Sequence, residues 1–260
     1  YCNGALTVCS RRGVADEEAA LLEALPRGKS GRALVLDSTE ALAGLALRAL
    51  NPGMAVVCHY DDAWDHGRAQ ETAGRHPELA PELALSEDPP EGPWDYLLLP
   101  SARDGNAKLL QERLWQTLRW LKPGGLLLAS SDNAADRFLR DEIKKRFGAL
   151  TISRPPARVG GVAYIARRPR EAKLPPWPES RPFTCQDGDR RLTLVSRPGI
   201  FCHGRLDAGT RALLAALEPG PEKRLLDLGC GAGLVGLALA YRFPEARVTL
   251  VDSSARAVAC

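Results

Sequence analysis

The residues best equipped for chemistry are the acids and glycines of Asp227-Leu-Gly-Cys-Gly-Ala-Gly233 and the carboxylate of Asp252. Glycines at 229, 231 and 233 permit positive φ and carry no Cβ, so a ligand can lie against the backbone there. The start of the following helix would then face a carboxylate or a phosphate. A dinucleotide fingerprint asks for Gly-x-Gly-x-x-Gly, but counting from Gly229 its third glycine falls on Leu234. The pattern here is Asp-x-Gly-x-Gly-x-Gly. Asp227 at the strand end would meet a cationic group, which suits a sulfonium amino acid better than a pyrophosphate. Asp252 stands 21 positions past Gly231, where a ribose hydroxyl pair is usually gripped. The neighbours Cys202-His203 could be read as a nucleophile or ligand pair, but adjacent side chains diverge in direction, which favours ordinary polar loop residues.

These groups need a strand, a turn and a helix to hold them. The apolar run 225–228 is short and ends at glycines, as a parallel strand does. Leu234, Leu237, Ala238 and Tyr241 then recur at helical spacing. A second strand, Arg247-Val-Thr-Leu-Val-Asp252, follows. Strand, glycine loop, helix and strand with a terminal Asp, in that order, are a stronger signal than glycines alone.

In these residues the chain resembles the class I S-adenosylmethionine-dependent methyltransferases. The run Ser196-Arg-Pro-Gly-Ile-Phe-Cys-His-Gly-Arg-Leu-Asp-Ala-Gly-Thr-Arg-Ala-Leu-Leu214 narrows the resemblance. It is similar to the segment before the cofactor strand in bacterial ribosomal RNA guanine-N2 methyltransferases, the small-subunit enzyme C type and its large-subunit relative. The resemblance implies that Asp227, Gly229, Cys230, Gly231 and Gly233 line the methionine end of S-adenosylmethionine, with Asp252 on the ribose and Ser253 near the adenine. Asp207 and Thr210 resemble positions close to the cofactor and are equally well read as a helix N-cap and a buried polar contact. The family's reactive Asn-Pro-Pro-aromatic motif is absent from residues 1–260, so no catalytic residue is assigned. The strand pair 224–252 is expected to belong to a sheet that continues past Cys260, since two parallel strands leave an apolar edge uncovered.

The first half of the chain copies this layout. An amphipathic helix over 14–25 leads to a strand at 33–37, a helix at 38–50 and a strand at 55–62. A constant offset of 190 places Asp37 on Asp227, Leu47 on Leu237 and Asp62 on Asp252. Thr39, Ala41 and Ala43 then stand where the second copy has its three glycines, which reads as a cofactor site erased by side chains. Further strands are expected at 82–86, 94–99, 126–129, 149–153 and 161–166, with helices at 107–121 and 133–147. The fold class is therefore α/β, with two tandem Rossmann-like methyltransferase domains. Residues 1–168 form a degenerate domain serving stability and RNA docking, 169–197 a basic Pro-rich linker, and 198–260 the start of the cofactor domain.

The run 167–197 carries eight Lys and Arg against four Asp and Glu, while the whole chain nets only +3. Arg168, Arg170 and Arg191 are thus candidates to meet an RNA backbone, with Trp177 and Phe183 interleaved. The expected partner is ribosomal RNA or a ribosomal subunit. No apolar run reaches the length of a membrane span. Seven cysteines without a Cys-x-x-Cys pair argue for reduced thiols in a cytoplasm and against a zinc site. The expected state is a monomer. The cofactor pattern leaves the acceptor open: a guanine amine in ribosomal RNA leads, with a protein or small-molecule acceptor, or a non-catalytic RNA-binding assembly protein, as alternatives.

Overall fold

A computed structural model describes residues 13–36, 40–102, 106–135, 137–156, 160–172, 174, 181–217 and 224–260. Asp37, Thr39 and Trp177, used in the sequence reading, lie outside the described residues. The chain divides into two units. The first comprises Tyr1–Tyr60, Trp64–Leu85 and Pro89–Trp177; the second comprises Asp61–Ala63, Ser86–Asp88 and Pro178–Cys260.

The first unit runs α1 (Asp16–Glu23), β1 (Gly31–Leu36), α2 (Leu42–Leu50), β2 (Met54–Tyr60), α3 (Ala63–Gly74), β3 (Glu82–Leu85), β4 (Trp94–Ser101), α4 (Ala107–Trp120), β5 (Leu121–Ser131), α5 (Phe138–Phe147), β6 (Leu150–Ser153) and β7 (Val162–Arg167). The strands form one sheet in the order β3-β2-β1-β4-β5-β7-β6. All pairings are parallel except those of β7, which runs antiparallel to β5 and β6. Residues 33–36 of β1 are buried on both faces, as a central parallel strand requires. Alternation sorts them: Ala33 and Val35 join a core with α1 and α2, while Leu34 and Leu36 join one with α4 and α5. The seven expected strands are all present, and the last two pair antiparallel. Helix α3 escaped the sequence reading because its buried side consists only of Ala69, Thr72 and Ala73, too small a stripe to stand out from its polar neighbours.

The second unit contains β8 (Arg181–Asp187), β9 (Arg190–Ser196), α6 (Ala208–Ala216), β10 (Arg224–Leu228), α7 (Leu234–Arg242), β11 (Arg247–Val251) and α8 (Ala255–Val258). One expectation needs correction here. Much of the stretch read as a linker, 169–197, is an antiparallel hairpin of β8 and β9. Along β9, burial alternates strictly, with Leu192, Leu194 and Ser196 inside, and Asp187-Gly188 opens the turn with Gly188 at φ +58°. Period-two alternation beside an Asp-Gly pair was the available signal, and the arginines and prolines around it obscured it. The hairpin shares a core with α6 and α7 through Leu192, Leu194, Leu214, Leu234 and Ala238. Arg242 at the end of α7 is paired with Asp187 and donates to the carbonyl of Leu214 at 2.8 Å. The hydrogen bond to Asp187 raises the guanidinium pKa above its ordinary value.

The internal repeat is real, but its offset is 192 rather than 190. The N-caps Ala41 (φ 61°, ψ 19°) and Gly233 (φ 83°, ψ 15°) are both left-handed, and the C-caps Asn51 (φ −142°, ψ 74°) and Phe243 (φ −128°, ψ 74°) also correspond. Strand registers agree: Arg32 pairs Ala55 in the first unit and Arg224 pairs Arg247 in the second. The gap-free sequence match had aligned aspartates, whereas the backbone aligns helix caps. With the corrected offset, the three glycines fall on Asp37, Thr39 and Ala41, not on Thr39, Ala41 and Ala43. Asp227 falls on Val35 and Asp252 on Tyr60, each with 0% exposure. The first copy therefore has neither a carboxylate at the two corresponding positions nor any of the three glycines.

Candidate cofactor site

Strands β10 and β11 pair in parallel from Arg224↔Arg247 to Leu228↔Val251. That register brings Asp227 near the end of one strand and Asp252 just past the end of the other. Between β10 and α7 the loop turns through Gly229, Gly231 and Gly233 at φ +75°, +53° and +83°, values that side chains resist. The amides of Gly229 and Cys230 both donate to the Val251 carbonyl, at 2.8 and 3.1 Å. Asp252 holds the loop and the next helix together: Oδ2 accepts from the Gly231 N–H at 2.8 Å and Oδ1 from the Ser254 N–H at 2.9 Å. Asp227 Oδ2 accepts from the Gly236 N–H at 2.8 Å. It thereby satisfies a first-turn amide of α7 that the glycine N-cap, having no side chain, cannot reach.

These groups converge on a cavity of about 280 Å³. Its walls include Asp207, Thr210, Asp227, Gly229, Cys230, Gly231 and Asp252, seven of the nine sequence candidates. A Cβ built at Gly229 meets nothing within 4 Å and one at Gly231 only Ile200, at 3.9 Å, so the loop backbone faces open space. Gly233 serves instead as the αL cap of α7. Ser253 does not line the cavity; its hydroxyl donates to Asp62 at 2.7 Å, and Ser254 takes the wall position. Asp207 has two places in the structure. It is the N-cap of α6, accepting from the Thr210 N–H at 3.1 Å and hydroxyl at 2.6 Å, and it lines the cavity. The Thr210 hydrogen bonds keep its carboxyl below the usual range.

Cys230 is a neutral thiol. Burial first, and then the carboxylates of Asp252 and Asp227, push its pKa up, so it supplies no nucleophile. The segment 199–206 carries part of the family resemblance, yet no residue of it is a sequence candidate for the site; Ile200, Phe201, Cys202, Arg205 and Leu206 line the same cavity. Its turns are held by His203 N–H to Ile200 O at 3.2 Å and Arg205 N–H to Cys202 O at 3.1 Å. The Ser196 hydroxyl lies 2.8 Å from His203 Nδ1. Cys202-His203 is thus a loop pair, with Cys202 in the left-handed region at φ +53°.

Of the three arginines assigned to RNA, Arg168 must be withdrawn. It is buried, donates to the Leu121 carbonyl at 2.9 Å, and its backbone pairs with Gly124 and Gly125. An arginine just past the end of β7 is carried inward by that pairing, which its sequence context does not reveal. Arg170 and Arg191 are exposed. Among the described residues no helix is long and apolar enough to cross a membrane, and no group of three or more His, Cys, Asp or Glu could hold a metal ion.

The mainly parallel sheet with its antiparallel β7 and the glycine loop of the second unit go together with a similarity, in sequence and in fold, to methyltransferases. The methyltransferase small domain family matches residues 191–260. Among curated proteins the chain is similar to ribosomal RNA small subunit methyltransferase C of Stutzerimonas stutzeri (strain A1501), 32% identical over 200 residues that make up 75% of this chain and 57% of that protein. It is also similar to ribosomal RNA small subunit methyltransferase C of Pseudomonas aeruginosa (strain LESB58), 34% identical over 178 residues, 65% of this chain and 50% of that protein. The chain spans about half the length of these curated relatives. Among solved structures, the 16S rRNA N2 methyltransferase of T. thermophilus, in complex with AdoMet and guanosine, shares the fold. Its TM-score is 0.71 at 22% identity, covering 98% of this chain and 70% of that one.

Proposed function

We propose that the protein takes part in methyl transfer from S-adenosylmethionine to the exocyclic amine of a guanine in ribosomal RNA. The observation that carries this is the cavity where a three-glycine loop meets Asp227 and Asp252. The relatives' name supports the ribosomal acceptor. Bound there, the cofactor supplies a methyl group on a sulfonium, ready for in-line displacement by a nucleophile. This chain's own residues bind and orient it. Gly229 and Gly231 leave room for it against the backbone. Asp252, already fixed by two amides, has lone pairs left for ribose hydroxyls. Asp227 adds negative charge near the loop, where a cationic group is favoured. Val35 and Tyr60 in the first unit can do neither, so we assign that unit to stability and RNA docking, with Arg170 as its basic contact and Arg191 as one on the second unit.

The test is transfer of labelled methyl from S-adenosylmethionine by the full-length natural protein onto ribosomal RNA and onto isolated ribosomal subunits. Label on guanine N2 is the expected outcome. Label on protein alone would move the acceptor to a different class, and no label with no cofactor binding would leave the RNA-binding alternative.

A further inference from the structure

The cavity is lopsided in charge. Asp207, Asp227 and Asp252 line it, and of its lining residues only Arg205 is cationic. The methyl donor assigned above brings an ammonium, a sulfonium and ribose hydroxyls, which carboxylates suit, but it also brings an α-carboxylate, which they repel. A glycine loop before a helix usually meets such an anion with its own N–H groups. Here five of those groups are engaged: Gly229 and Cys230 donate to Val251 O, Gly231 to Asp252, Gly233 to Cys230 O and Gly236 to Asp227, which leaves the amides of Ala232, Leu234 and Val235 along the cavity. Among three carboxylates, the negative end of the ligand also calls for a cationic side chain.

We propose that Arg205 holds the α-carboxylate of the methyl donor, making the segment 199–207 the amino-acid subsite of the cavity. This rests on the S-adenosylmethionine reading of the site. Arg205 is exposed, and among the described residues its guanidinium has no ion-pair partner, so its donors are available to a planar carboxylate in a two-pronged pair. Its position is built from both sides. Upstream, the Ser196–His203 contact and the turn from Cys202 O to Arg205 N–H hold the loop; downstream, Asp207 is fixed as the cap of α6 by Thr210. Two residues apart, Arg205 and Asp207 present opposite charges to the same cavity, as a zwitterionic amino-acid end requires.

The experiment is calorimetric binding of two ligands to the full-length natural protein. S-adenosylhomocysteine carries the amino-acid end; 5′-methylthioadenosine shares its adenosine and thioether and lacks that end. Arg205→Ala is expected to weaken S-adenosylhomocysteine by about tenfold or more and leave methylthioadenosine unchanged, with Arg205→Lys recovering part of the loss. An unchanged S-adenosylhomocysteine affinity overturns the proposal. So does an equal loss for both ligands, which would mean damage to the cavity rather than a lost carboxylate contact. Unchanged ligand affinity with weaker RNA binding and a salt slope smaller by about one would overturn it in favour of a phosphate contact. If the wild type binds neither ligand, the cofactor reading itself has failed.

Discussion

Asp252 has two duties. It binds the Gly231 and Ser254 amides and faces the cavity, so its removal loosens the loop and strips the site together. Asp252→Ala should lower S-adenosylhomocysteine affinity by at least about tenfold, measured by calorimetry; an unchanged affinity would remove the ribose assignment. Arg168 makes the opposite point. Arg168→Ala leaves the Leu121 carbonyl without its donor and should cost about 1–3 kcal/mol of stability in urea melts, with RNA affinity and its salt slope unchanged. Residue types were readable at both positions. Spacing placed Asp252 at a strand end facing a glycine loop, because strand and loop geometry follow locally from sequence. Nothing local places Arg168 inside, since its burial depends on pairing with Gly124 and Gly125, more than forty positions away.

At the scale of elements, the two copies of strand, loop, helix and strand share a packing rule. A Cβ at Gly44 of α2 would collide with the Cys58 sulfur and stand 3.1 Å from Pro81 Cγ, and one at Gly236 of α7 would stand 2.6 Å from Leu250. In each unit the helix lies so close to its neighbouring strand that only hydrogen fits. Cys58 is fully buried and cannot swing aside, so Gly44→Ala should destabilise the first unit by about 1–3 kcal/mol despite alanine's better helix propensity of about 1 kcal/mol. Leu250 is 43% exposed, so the matching change at Gly236 should cost less; thermal melts of the two variants compare them. The repeat was legible as a pattern of apolar runs. Its offset was not, because matching aspartates by eye rewards chemical likeness, whereas the fold preserves cap angles and close contacts. The hairpin 181–196 was hidden for a related reason: its alternating Leu192 and Leu194 are separated by polar residues that composition alone reads as a solvated linker.

For the whole molecule, two carboxylates of the first unit give stability a pH dependence of opposing signs. Burial raises the Asp95 pKa, but the Lys122 hydrogen bonds at 2.9 and 3.0 Å and the Arg32 amide at 2.8 Å outweigh it and hold the pKa below 3.8. Its contribution is present above pH 3.8 and is lost as pH falls through the lower folded value. For Glu17, burial, assisted by Asp132 and Asp16, raises the pKa above 4.5. Its penalty is absent below pH 4.5 and grows as pH rises through the folded value. Glu17→Gln should therefore raise the melting temperature at pH 7 and leave it unchanged at pH 3. Asp95→Asn should lower it at pH 7 by an amount set by about 1 kcal/mol or less, since Lys122 is partly exposed. An unchanged Glu17→Gln melt at pH 7 would show that the burial penalty is relieved by solvent.

A chain that repeats one strand register twice carries a hazard during synthesis. The spacing that pairs β1 with β2 is the spacing that pairs β10 with β11, so each strand has a second partner of compatible geometry in the other copy, and tandem repeats misassemble by such exchanges. Divergence acts as the safeguard. Six of the seven residues of β2 are buried in its own sheet, so a swapped β11 with its terminal carboxylate would bring Thr249 and Asp252 to the dry places of Val57 and Tyr60. The substitutions that emptied the first copy of its carboxylates also made its strands poor substitutes for those of the second.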